Sequence, residues 1–403
     1  MMSSFSKANV SNREFQFKES ICWSRISSSN ISFRFFPKGF LFDSATCAVF
    51  LNKPDFEHYV LALLNSKLSQ DILNLLAPTL NYQAGDIANI PLIHQIGDSN
   101  KIKIYVRENI EICKNDWDDY ETSWNFKNHP FIRFKESTIE KSFNKWLEHK
   151  ESDFNKLKSN EIELNKIFAD IYSINVDSNV EDKHVSVTKA DYENDIKSFI
   201  SFAVGCMFGR YDLNQEGLSY AGGNFDLNSF NLDIVDNDNI IPILDTEYFE
   251  DDIVGKFVSF VKEVWGSENL EENLNFISGA LNTRGNTSRE MIRNYFLNNF
   301  YADHVKMYKK CPIYWQFDSG KQNGFKCLIY IHRYESDLLA RIRTEYLHKT
   351  QKAIEQNISN SDNIINNSSI ASEKNKFSKL KNKLLKQLEE TREYDEALAN
   401  IAH

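Results

Sequence analysis

The sequence predicts an α+β protein in which short β-strands near the start are followed by long helices, a mixed α/β unit with a β-hairpin, and a helical tail. Three observations carry that expectation. Residues 20–50 are dense in Phe, Ile, Val, Ser and Thr and partly alternate between apolar and polar, which is a strand pattern. Residues 102–124 and 143–171 repeat apolar side chains at helical steps, mostly of three and four, the pattern of helices packed lengthwise. Residues 312–334, "PIYWQFDSGKQNGFKCLIYIHRY", alternate on both sides of a loop carrying Ser-Gly and Asn-Gly pairs, a hairpin signal. A chain of 403 residues holds a few domains at roughly 100–200 residues each. Changes of texture divide it at 1–100, 101–175, 176–334 and 335–403.

Taken in order, "SICWSRISSSNISFRFFPKGFLFDSATCAVF" is expected to form short strands with a turn at Pro37-Lys38-Gly39. Leu61, Leu64, Leu68, Ile72 and Leu75 lie at helical spacing, and Pro78 biases Ala77 away from helix, so one helix should end near Leu76. Ile102, Val106, Ile110, Cys113, Trp117, Tyr120 and Trp124 form the first lengthwise stripe. Phe143, Leu147, Phe154, Leu157, Leu164, Phe168 and Ile171 form the second, and together they predict an antiparallel pair. Beyond residue 176, "KSFISFAVGCMFGRYDL" reads as a packed helix in which Gly205 and Gly209 permit close approach. "ENLNFISGAL" and "SREMIRNYFLNNFYADHVKMY" read as further helices before the hairpin. The tail reads as a helix, a flexible linker "NISNSDNIINNSSIAS", and a Lys-rich helix with Phe377, Leu380, Leu384, Leu388 and Leu398.

Composition excludes several classes. No run approaches the ~20 apolar residues that span a bilayer, and the first residues lack the apolar stretch of a signal peptide, so no membrane partner and a cytoplasmic location are expected. Six cysteines without a C-x-x-C pair suggest neither zinc knuckle nor disulfide framework and are read as reduced and mostly buried. Nine histidines lack H-x-x-x-H spacing, so no metal ligand is assigned, and His304 is read as a capping or core residue. Gly320-Lys321 is not followed by Ser or Thr, so it is no phosphate loop. "EDK" and "DIK" supply only the last element of a carboxylate-lysine nuclease. "NHPF", Asn128 to Phe131, departs from an Asn-Pro-Pro-aromatic methyltransferase motif at His129, and no glycine-rich turn precedes it. No catalytic or cofactor-binding residue is therefore assigned. The net charge of -10 opposes a polyanion at long range, but acid is concentrated at 233–255. The first fifty residues carry Lys7, Arg13, Lys18, Arg25, Arg34 and Lys38.

The strings "ALLNSKLSQDILNLLAPTLNYQAGDIANIPL", "ETSWNFKNHPF", "NEIELNKIFADIY", "DIKSFISFAVGCMFGRYDLNQEGLSYAGG", "DNIIPILDTEYFEDDIVGKF", "ADHVKMYKKCPIYWQFDSGKQNGFKCLIYIHRY" and "EYDEALA" occur in this order. As a set they resemble the C-terminal part of the PglX family, the adenine-specific DNA methyltransferases of BREX phage-defence systems. The resemblance implies an S-adenosylmethionine-dependent N6-adenine methyltransferase whose catalytic half, with its cofactor turn, is absent from this chain. It implies double-stranded DNA, a catalytic half and other BREX components as partners. Residues 1–100 become the C-terminal part of a target-recognition domain, and 101–175 a helical spacer. In recognition domains resembling type I specificity subunits, the loop after a leucine-faced helix crosses near DNA. Asn81, Tyr82 and Gln83 are then candidate DNA contacts, with Arg25 and Arg34 on strands of the same region, because amides match adenine edges and arginine matches guanine or phosphate. The Lys-rich stretch 374–386 is a candidate for backbone contact. An ordinary capping loop, a protein-interaction scaffold and a truncated remnant stay open beside this reading.

Overall fold

Ser20, Ile21, Cys22 and Trp23 are all buried, as befits a central strand covered on both faces. This strand, β1 (Ser20–Ser24), lies between β2 (Arg34–Phe36) and β3 (Thr46–Val49), antiparallel to both, with Cys22 opposite Arg34 and Ala48. The computed structural model describes residues 12–28, 30–43, 45–53, 56–93, 99–230 and 235–401, so Lys7 lies outside the described residues. Contacts divide the chain into one unit of residues 1–117 and 149–189 and another of 118–148 and 190–403.

In the first unit the expected single helix is two, α1 (Glu57–Asn65) and α2 (Lys67–Leu76). Asn65 and Ser66 explain the break, since both side chains compete for backbone partners. Asn65 Oδ1 accepts from Phe33 N–H and its Nδ2 donates to Phe33 O, both at 3.0 Å, while Ser66 Oγ accepts from Ser69 N–H and starts α2. The end at Leu76 is where Pro78 places it. After the short α3 (Ala84–Ala88), α4 (Ser99–Asp118) runs antiparallel to residues 149–171 of a long helix. The direction follows from the pairs Lys101–Glu163, Glu108–Lys156 and Asp116–Lys150. The first stripe is only partly used: Ile102 and Val106 are buried, but Trp117 in the last turn is exposed, and Trp124 lies beyond the end of the helix at Asp118. The second holds better, with Phe154, Leu157, Leu164, Phe168 and Ile171 buried in this unit.

The second unit opens with α5 (Pro130–Arg133) and the start of α6 (Ile139–Ile171), the long helix just mentioned. Its core gathers Phe199, Phe202, Phe257, Phe260, Phe296, Tyr314 and Tyr330. These come from α7 (Tyr192–Met207), α8 (Ile253–Trp265), α10 (Ser288–Asn298), β5 (Tyr314–Asp318) and β6 (Lys326–Tyr330), and β4 (Ile241–Pro242), α9 (Leu270–Gly279) and α11 (Phe300–Met307) add Ile241, Leu274 and Phe300 to the same core. The strands form an antiparallel sheet ordered β4-β6-β5, and the hairpin of β5 and β6 is the one expected. Gly205 acts as expected too: a Cβ there would lie 2.5 Å from the Tyr211 ring.

The tail corrects the sequence reading. From α12 (Leu338–Arg341) the chain passes through a π-helical stretch, Ile342–Leu347, into α13 (His348–Asn367). The segment expected as a flexible linker is thus helical to Asn367, and α14 (Ala371–Ile401) begins after three residues. Asn and Ser are weak helix formers, but Ile354 and Ile358 pack against Leu384 and Leu388 of α14 and Ser361 is buried on the same helix, so packing overrides propensity. Lys381–Asp362 and Arg392–Glu355 lace the two helices antiparallel. Of the six cysteines, all free, Cys22, Cys206 and Cys327 are buried and Cys311 is exposed. No helix among the described residues is long and apolar enough to cross a membrane.

Candidate nucleic-acid interface

The loop after α2 is fixed to the end of β1. Tyr82 N–H donates to Arg25 O at 2.8 Å, Ser27 N–H to Leu80 O at 3.0 Å, and Trp23 Nε1 to Tyr82 O at 3.1 Å. Ile26 and Asn81 form the antiparallel bridge between the two segments. Residues 80–82 therefore pair with 25–27 just beyond the end of β1, Asn81 standing opposite Ile26. Tyr82 turns inward and joins the core of the first unit with Trp23 and Ile87. Leu80 and Gln83 are exposed, and Asn81 is half-buried with an Oδ1 that has no hydrogen-bond partner among the described residues. Gln83 N–H donates to Asp86 Oδ2 at 2.9 Å, which caps α3 and fixes the backbone from which the Gln83 amide projects.

Arg25 is exposed just past β1, its carbonyl taken by Tyr82. The structure thus brings Arg25 and residues 81–83 side by side along the backbone, although Arg25 and Asn81 are 56 residues apart in the chain; alternation places Asn81 on the face of its partner Ile26 and Arg25 on the other. Tyr82, expected among the contacts, is placed in the core beneath them. Arg34 lies opposite Cys22, three residues or about 10 Å back along β1 from Arg25. Its guanidinium donates to Ser186 Oγ at 3.2 Å and sits beside Glu161, whose carboxyl burial pushes up to about 7 while the arginine pulls it down. Arg34 therefore has work inside the unit, whereas Arg25 has no side-chain partner among the described residues. Ile26 and Leu80, 71% and 60% exposed, flank the edge with apolar surface.

The second unit holds a cluster that the sequence reading missed. Asp236, Asp238 and Asp251 bring a carboxylate oxygen each within 4.8 Å of one another. Tyr346 Oη lies 2.9 Å from Asp238 Oδ2 and 2.6 Å from Asp251 Oδ2, its one proton serving either, and Lys256 Nζ is 3.6 Å from Asp236. Burial pushes Asp236 up to about 7, against the pull of Lys256. Asp236, Asp251, Lys256, Tyr346 and Lys349 line a cavity of about 810 Å³. The three aspartates were visible only as an acid-rich run, because Tyr346 arrives from the tail. Lys256 offsets part of the negative charge from within, and Tyr346 supplies a hydrogen bond.

Methyl transfer from S-adenosylmethionine calls for a cofactor turn, and glycine turns for nucleotide-like groups sit between a parallel strand and a helix. Both sheets here are antiparallel, so the described residues do not fit that group.

No known family profile matches the chain. It is 40% identical over 402 residues to the adenine-specific methyltransferase PglX of Lacticaseibacillus casei (strain Zhang), covering 97% of this chain and 33% of that protein. It is 34% identical over 428 residues to the adenine-specific methyltransferase BrxX of Escherichia coli O9:H4 (strain HS), covering 98% of this chain and 35% of that protein. The chain spans about a third of the length of the curated relatives it matches. The resemblance expected from the ordered strings is thereby shown, and it is consistent with a C-terminal part.

Proposed function

We propose that this chain, a relative of the PglX-type adenine-specific methyltransferases over nearly all of its length, is the DNA target-recognition and scaffold portion of such an enzyme in a BREX-type phage-defence system. On this reading the duplex is its ligand, and the half that binds S-adenosylmethionine and transfers the methyl group is a separate partner. The observation that carries the recognition role is the clamping of residues 80–82 onto 25–27, which fixes the backbone carrying Arg25, Asn81 and Gln83 at a rigid edge. An amide on such an edge pairs with N6 and N7 of adenine, and arginine with guanine or a phosphate, each good bidentate pair being worth about 1–3 kcal/mol of discrimination. Rigidity matters because a contact that must first be ordered loses part of that energy.

Long-read sequencing for N6-methyladenine tests this in cells that carry the chain together with a catalytic half. Arg25→Ala combined with Gln83→Ala is expected to relax or abolish the methylated sequence, at the roughly 10-fold level or more that one bidentate pair provides. An unchanged methylated sequence and level would remove the recognition role from this edge. A second reading, a docking scaffold for other BREX components, is favoured by Trp124, which is fully exposed, since an exposed tryptophan is a common anchor of protein interfaces. Under it, Trp124→Ala releases a partner protein while the Arg25 and Gln83 variants leave methylation untouched.

A further inference from the structure

The first half of α14 reverses the charge balance of the chain, although residues 389–401 hold five acids against one arginine. The protein as a whole carries -10, yet residues 371–388 hold six lysines against one glutamate. At 100° per residue, Lys376, Lys379, Lys383 and Lys386 recur at steps of three and four and share one face, opposite Leu384 and Leu388, which pack on α13. Three neighbouring acids are engaged, while Glu389 is exposed one turn beyond Lys386. Asp245 holds the amine of Lys383, Glu373 accepts from Ser368 Oγ at 2.6 Å, and Glu390 is spent on the hairpin loop. Lys381, on the flank, is turned to Asp362. On this face Lys376, Lys379 and Lys386 remain, all exposed and without an anionic side-chain partner among the described residues, while Lys374 lies on another face. The three extend over ten residues, about 15 Å of straight helix.

A row of amines along one face of a helix can lie along a phosphate backbone. A lysine ammonium is a compact point charge with no planar fork to read a base edge, so the row suits backbone contact and not sequence readout. We propose that Lys376, Lys379 and Lys386 bind the phosphate backbone of duplex DNA and supply sequence-independent affinity. This rests on the reading that the chain works on duplex DNA, and adds a contact that the recognition edge does not provide. Division of labour of this kind is physically economical, since phosphate contacts fix position while base contacts specify.

The test is anisotropy of a fluorescent duplex of arbitrary sequence, titrated with the full chain over a series of salt concentrations. Wild-type affinity should fall with salt, and the triple variant Lys376→Gln, Lys379→Gln, Lys386→Gln should flatten the log–log slope by about three, at ~0.9 per phosphate contact. A control with the same charge change, Lys135→Gln, Lys262→Gln, Lys309→Gln, at exposed sites elsewhere in the second unit, should keep the wild-type slope. An unchanged slope in the α14 variant, an equal change in both variants, or no binding of any duplex at low salt would each overturn the proposal. So would an α14 variant that binds DNA normally but no longer captures the catalytic half, which would make the row a site for an acidic protein surface. Because the duplex is arbitrary, failure here is distinct from failure of the recognition edge, which is read from the methylated sequence.

Discussion

Tyr82 and Gln83 are chain neighbours of opposite consequence. The Tyr82 ring is buried beside Trp23 and Ile87, while Gln83 projects outward from the same clamped backbone. Tyr82→Ala should therefore cost the first unit about 3–5 kcal/mol, the range for large aromatics cut from a core, seen as a lower urea midpoint. Tyr82→Phe should keep both that midpoint and the methylated sequence. A changed methylated sequence in the phenylalanine variant would show that the hydroxyl reaches DNA after all. The sequence displays the chemistry of "NYQ" but not its direction. Direction depends on a bridge to Ile26, and nothing local in either segment announces that pairing. Arg25 and Arg34 were indistinguishable for the same reason, since Ser186 and Glu161, which occupy Arg34, lie far along the chain.

Elements were legible where the apolar period was strong and the stop signals were local. The hairpin at β5 and β6, the end of α2 before Pro78 and the antiparallel pair of long helices all follow from such signals. The Asn/Ser-rich stretch misled because its composition hides the spacing of Ile354 and Ile358, which pack against Leu384 and Leu388 of α14. The same helix ties down the hairpin loop. Glu390 accepts from Ser319 Oγ at 2.8 Å, Gln322 N–H at 2.7 Å and Gly324 N–H at 3.1 Å. Glu390→Gln turns one acceptor into a donor facing N–H groups, and should cost about 1–3 kcal/mol as those donors lose their partner. Gly324→Ala should destabilise the same element by another route, because a Cβ there meets Gln387 O at 2.8 Å. Thermal unfolding followed by circular dichroism checks both. A Glu390→Gln protein as stable as wild type would mean that the loop holds itself without α14.

At the scale of the whole molecule, net charge argued against nucleic acid, and its distribution reverses the argument. The acids crowd around Asp236 and Asp251 in the second unit, while unpaired cations stand at Arg25 in the first unit and along α14 in the second. Neither unit contains a parallel strand, turn and helix among its described residues, and the relatives are about three times as long as this chain. On the proposed reading the methyl donor is therefore held by the catalytic partner. Titration of S-adenosylmethionine into the purified chain should give no saturable heat in a calorimeter, while the chain mixed with its catalytic half should bind it and methylate adenine. The cavity beside Asp236 is the place where this expectation is most exposed, because a sulfonium and an amino group are cations and the cavity carries carboxylates. Stoichiometric binding by the chain alone, abolished by Asp251→Asn, would put the cofactor there and overturn the division between the two halves. Against that outcome stand Lys256 and Tyr346, which already occupy the carboxylates a cationic ligand would need to reach.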